Sequence, residues 1–73
     1  MRTEDPLEVP IRDESIRLGQ FLKLANLVET GSDVRPLMIH GAVRVNGEVE
    51  TRRGRQLRRG DVVTLGPATA RVG

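Results

Sequence analysis

The chain contains no cysteine, no tryptophan, no tyrosine, a single phenylalanine and a single histidine. Without cysteine it has no disulfides and no thiolate metal sites, which suits a reducing compartment. With His40 as its one imidazole and no GxxxxGK[ST] loop, it lacks the parts of a nucleophile-base pair or a nucleotide-hydrolysing site. A lone histidine near a helix end reads as a cap or surface residue. Five of its ten acidic residues lie in the first fourteen positions, so a metal site or catalytic carboxylate pair is not expected. No run is long and apolar enough to span a bilayer, and the acidic opening "MRTEDPLEVP" has none of the apolar core of a signal peptide. These absences lead us to expect a soluble, cytoplasmic, monomeric protein that is not an enzyme and needs neither a cofactor nor a metal.

What the chain does have is arginine: eleven of its twelve cationic side chains, five of them in "TRRGRQLRRG", residues 51–60. The net charge of +2 hides an asymmetry. Residues 1–33 hold four basic and seven acidic groups, and residues 34–73 hold eight and three. The planar guanidinium fork binds phosphate bidentately, where lysine offers only a point charge. Glu48, Glu50 and Asp61 are too few to neutralise Arg44, Arg52, Arg53, Arg55, Arg58 and Arg59, so positive charge is left over for a ligand.

Seventy-three residues allow one small domain. We expect residues 1–8 to form a flexible acidic leader and 9–73 a single domain. Val9, Ile11 and Ile16 suggest a short strand. Leu18, Phe21, Leu22, Ala25 and Val28 recur at helical spacing and predict a first helix over 18–28, with Gln20 and Lys23 off the buried face. In "ETGSD", Thr30, Ser32 and Asp33 are alternative N-caps for a second helix that runs to about His40 and ends at Gly41. Pro36 is cheap in that helix only if Asp33 is the cap.

"VRVNGEVE" predicts a hairpin with a type I′ turn at Asn46-Gly47. A plain two-residue register would put Glu48 and Glu50 on the face of Val43 and Val45, so the second arm is expected to bulge or bend away early. The arginine run then reads as a loop anchored by Leu57, followed by strands in "RGDVVTL" and "TARV". Helices first and strands later predict an α+β domain, two N-terminal helices packed on a small antiparallel sheet.

The arginine loop points to nucleic acid, and the lack of aromatic platforms argues against stacking unpaired bases. Phosphates, 2′-hydroxyls and shape remain, which favours structured RNA. A DNA-reading helix-turn-helix is the weaker reading, since its second helix offers only Asp33 and Arg35 and contains a proline. A protein-interaction module docking an acidic partner is the main alternative.

Three blocks, "RLGQFLK", "TGSDVRPLMIHGAVRVNG" and "RRGRQLRRGDVV", make residues 17–63 resemble the RNA-binding domain named after ribosomal protein S4, especially its small stand-alone bacterial members. The resemblance implies an αL-type fold with a helix-turn-helix-like pair, and structured RNA, ribosomal RNA or a ribosomal subunit foremost, as partner. It places the binding surface on Arg17, Lys23, Thr30, Ser32, Arg35, Arg44 and Asn46, and the small-member "RRGR" signature on Arg52, Arg53 and Arg55. Arg58 joins the candidates from the basic run. Gly19 stands where many relatives carry aspartate, a departure the small members share. Pro36 stands where relatives keep a helix-compatible residue.

Overall fold

A computed structural model describes residues 7–28 and 34–73. Along the chain run β1 (Leu7–Val9), β2 (Ser15–Arg17), α1 (Leu18–Leu24), α2 (Val34–Ile39), β3 (Val43–Val45), β4 (Glu48–Val49), β5 (Gln56–Arg58), β6 (Val62–Leu65) and β7 (Ala68–Val72). Five strands form one sheet in the order β1-β7-β6-β3-β4, and β2 pairs with β5 in a separate two-stranded ribbon.

The α+β class is as expected, with two differences in detail. The sheet is mixed rather than antiparallel, because β1 runs parallel to β7 with Leu7 opposite Ala70 and Val9 opposite Val72. The helices lie mid-chain, behind two strands, rather than at the N-terminus. β1 also begins inside the segment expected to be a loose leader. Residues 1–6 of that leader lie outside the described residues.

α1 buries Leu18, Phe21 and Leu22, and Ala25 and Val28 remain buried beyond its end. It stops at Leu24, earlier than the apolar spacing suggested, because Asn26 turns left-handed at φ 64°. The Leu27 N–H then donates to the Leu22 carbonyl and the Asn26 N–H to the Lys23 carbonyl, the paired bonds that close a helix C-terminus. Gly41, at φ 70°, ends α2 in the same way, with Ala42 donating to Leu37 and Gly41 to Met38. Pro36 is the third residue of α2, in the first turn, where a missing N–H leaves no intrahelical bond unmade. The caps expected at Thr30, Ser32 or Asp33 lie outside the described residues.

Val43 and Val45 of β3, Val63 of β6 and Ala70 and Val72 of β7 form the inner face of the sheet. They meet Leu18, Phe21 and Leu22 of α1, Val34 and Met38 of α2, and Leu57 of β5 in one core cluster. Fully buried side chains such as Phe21 and Leu57 each contribute about 1.5–3 kcal/mol through loss of water contact. Leu57 thus anchors the arginine run as anticipated, but residues 56–58 are a strand rather than part of a loop.

The Asn46-Gly47 turn is of type I′, with φ 52° and 88°. Its register is the plain one, Arg44 opposite Val49 and Val45 opposite Glu48, and the Glu50 N–H still donates to the Val43 carbonyl at 3.0 Å. Of the two expected alternatives, a bulge or an early departure of the second arm, no bulge forms. β4 instead ends after two residues, and Glu50 keeps its core-facing position with only 6% of its surface exposed.

Candidate nucleic-acid interface

A buried carboxylate requires partners, and the arginine run supplies them. Glu50 Oε2 accepts from the main-chain N–H of Arg52 at 3.0 Å and from its Nε at 3.2 Å, while Oε1 accepts from Arg55 Nη1 at 2.9 Å. The Glu50 carboxyl is held at about 2, below its ordinary value of 4.5. The side-chain bond from Arg52 contributes most, then the main-chain bond from Arg52, and the Arg55 bond adds to them against the opposing effect of burial. The Arg55 N–H donates to the Arg52 carbonyl at 3.1 Å, closing the turn between them.

The same turn caps α1. Arg17, at the N-cap position, makes no side-chain cap bond. The Leu18 N–H donates instead to the Arg55 carbonyl at 2.7 Å, and the Gly19 N–H to the Arg53 carbonyl at 2.9 Å. Glycine at position 19 lets the turn dock closely, since an added Cβ would lie 3.1 Å from Arg53 Cγ and that side chain would have to give by a few tenths of an ångström.

Arg53 is thereby held over the helices. With Gly54 it faces Arg17, Gly19, Gln20, Lys23 and Val34 across an open groove of about 220 Å³. On its other side, with Thr51, it faces Arg35, Met38 and Ile39 across a depression of about 250 Å³. Four cationic residues from β2, α1, α2 and the arginine turn thus border two adjoining hollows that share Arg53. Among the described residues no acidic side chain lines either one.

The other candidates lie elsewhere. Arg44 alternates with core-facing Val43 and Val45, so it stands on the outer face of the sheet, where its Nη1 donates to the Gly47 carbonyl at 3.3 Å. Asn46 spends its amide within the fold: Nδ2 donates to Asp61 Oδ1 at 3.1 Å and Oδ1 accepts from the Val62 N–H at 2.9 Å. Arg52 keeps its side chain 77% exposed while bound to Glu50, and Arg55, 32% exposed, faces the same carboxylate. Arg58 lies on β5, apart from the two hollows. Thr30 and Ser32 lie outside the described residues.

Sequence reasoning omitted Gly19, Gln20 and Gly54 from the site. Gln20 lay off the buried helical face, and that was its available signal. Gly19 is marked in sequence only by standing where many relatives carry aspartate, and Gly54 carries no signal until the docking of the turn is known. Phe21 is fully buried, so the one phenylalanine is not offered to a base, and the imidazole of His40 lines neither hollow. Those residues also contain no group of three histidine or acidic side chains able to hold a metal, and no helix long and apolar enough to cross a membrane.

This architecture is that of a known RNA-binding module. Residues 9–73 match the S4 domain model, and the chain belongs to that family. It is similar to the probable ribosome maturation protein RlbA of Bacillus subtilis (strain 168), with 44% identity over 57 residues, covering 78% of this chain and 80% of that protein. It is also similar to the solution structure of YbcJ from E. coli, described as revealing an αL motif involved in RNA binding. That likeness has a TM-score of 0.72 at 25% identity and covers 99% of this chain and 92% of that one.

Proposed function

We propose that the chain is a non-catalytic RNA-binding protein that recognises structured RNA, ribosomal RNA foremost, and acts in the cytoplasm as a monomer in ribosome assembly or translation. The observation that carries this reading is the convergence of Arg17, Lys23, Arg35 and Arg53 on two adjoining hollows that no acidic side chain lines among the described residues. Phosphates are the ligand such a surface attracts. The family supports RNA as the ligand, and the ribosome maturation relative supports a ribosome-related one. In this reading Arg53 is the central contact and Lys23, Arg17 and Arg35 flank it. Arg52 and Arg44 add exposed positive charge outside the hollows, and Thr30 and Ser32 precede Arg35 in sequence. Asn46 and Arg55 act by holding the turns in place.

Photo-crosslinking in cell extract followed by mass spectrometry tests the proposal. RNA adducts on the peptides that carry Lys23 or Arg53 are expected. Peptide adducts on the same segments, with RNA adducts absent, would instead establish the protein-docking alternative.

A further inference from the structure

The ribbon of β2 and β5 carries a second basic surface. Ser15 lies opposite Arg58, Ile16 opposite Leu57 and Arg17 opposite Gln56. Because side chains alternate along a strand, Leu57 and Ile16 turn to the core while Ser15, Arg17, Gln56 and Arg58 share the outward face. Arg17 is also a wall of the groove that holds Arg53, so the ribbon face begins where that groove ends. At its far end Arg58 and Arg59 border a further depression with Glu14, Ser15 and Gln56.

The guanidiniums at this end are not tied up in ion pairs among the described residues. Among the described residues both ion pairs go to Glu50, and neither involves Arg58 or Arg59. Asp61, the nearest acid in sequence, spends its carboxylate on the Asn46 amide and on the main-chain N–H of Arg58. Arg59 Nη2 donates to the Ile11 carbonyl at 3.3 Å, which orients the guanidinium without neutralising it. Among the described residues Glu14 is the one acid bordering the depression.

We propose that the outer face of this ribbon is a second phosphate-contact strip, reached by an RNA duplex long enough to lie across both the ribbon and the Arg53 groove. The strip offers donors at two-residue steps, about 7 Å apart along each strand. Arg17 and Arg58 suit phosphates, Gln56 and Ser15 suit 2′-hydroxyls, and no ring is present to stack a base. That inventory matches the backbone of a helical stem rather than a splayed single strand. The inference rests on the RNA-binding reading above and extends it from one groove to a ligand of minimum length.

Fluorescence anisotropy over a salt series, with a short-stemmed RNA hairpin and the same hairpin lengthened by one helical turn, tests it. R58A/R59A should weaken the long hairpin about tenfold and reduce its log-log salt slope by roughly 2, leaving the short hairpin unchanged. R58A alone, which removes a side chain without a hydrogen bond among the described residues, should reduce the slope by about 1 and controls for any loosening at Arg59. Glu14→Gln should tighten the long hairpin. R53A should weaken both hairpins. If R58A/R59A leaves the long hairpin unaffected while R53A weakens it, the strip is refuted and the groove stands. If R58A/R59A weakens both hairpins equally, the length requirement is refuted. If R53A is silent while R58A/R59A acts only on the long hairpin, the strip stands and the groove reading falls.

Discussion

The main-chain N–H of Gly19 donates to the carbonyl of Arg53 at 2.9 Å, and a β-carbon on residue 19 would lie 3.1 Å from the Cγ of the same arginine. The start of α1 and the arginine turn are therefore hydrogen-bonded together, and a side chain at position 19 would press on Arg53.

Replacing Gly19 with valine should displace the turn. Overpacking of this kind costs about 1–3 kcal/mol, and RNA affinity should fall at least as far as in R53A. In an R53A background the further loss of affinity from Gly19→Val should be smaller, as expected for residues that act together. Thermal melts and RNA titrations of the two single variants and the double variant check this.

Glu50 holds the turn from the other side. Its folded-state value of about 2 lies below the ordinary 4.5, so the stability it contributes is complete above about 4.5 and is lost as pH falls towards 2. Glu50→Gln should cost about 1–3 kcal/mol at neutral pH, since charge-assisted bonds from Arg52 and Arg55 are lost. The gap in Tm between the wild type and this variant should stay constant from pH 7 to about 5 and close below 4.5. A gap that persists to pH 2 would refute the ionised clamp.

Arg53 and Arg55, two residues apart, should separate by phenotype. R55A should destabilise the domain by about 1–2 kcal/mol through the loss of its bond to Glu50. R53A, whose main-chain acceptor survives the substitution, should change stability by no more than about 0.5 kcal/mol while weakening RNA binding. Urea denaturation and RNA titration of the two variants decide it.

Asn46→Ala should behave as a folding variant. It removes the bonds to Asp61 and Val62 and forces alanine into a left-handed turn, a loss of about 2 kcal/mol. The salt slope of RNA binding by the folded fraction should be unchanged.

Much of the architecture was legible in local pattern. The spacing of Leu18, Phe21 and Leu22 marked α1, Asn46-Gly47 marked the hairpin, and Gly41 marked the end of α2. What escaped depends on contacts between residues far apart in sequence. β5 exists because Leu57 pairs with Ile16, and β1 because Val9 pairs with Val72; neither partner can be read from a local window. Asn46, placed on the binding surface by the family resemblance, makes hydrogen bonds to Asp61 and Val62 that no local window shows. The out-of-place charge at Glu50 was visible as a conflict in the hairpin pattern. Its resolution by Arg52 and Arg55 required the turn in three dimensions. For the interface, the excess of arginine was plain, but the choice of Arg53 over its neighbours follows from the docking of the turn on Gly19.

The central claim is that Arg53 and the residues around it bind structured RNA through phosphates. The most direct test is anisotropy titration of the wild type and R53A with a labelled ribosomal RNA hairpin, its DNA duplex counterpart and a single strand, over a salt series. The account predicts tightest binding to the hairpin, log affinity falling linearly with log salt, and a slope shallower by about 0.9 in R53A, taking the duplex value per phosphate. Equal affinity of wild type and R53A for the hairpin at every salt concentration would contradict it.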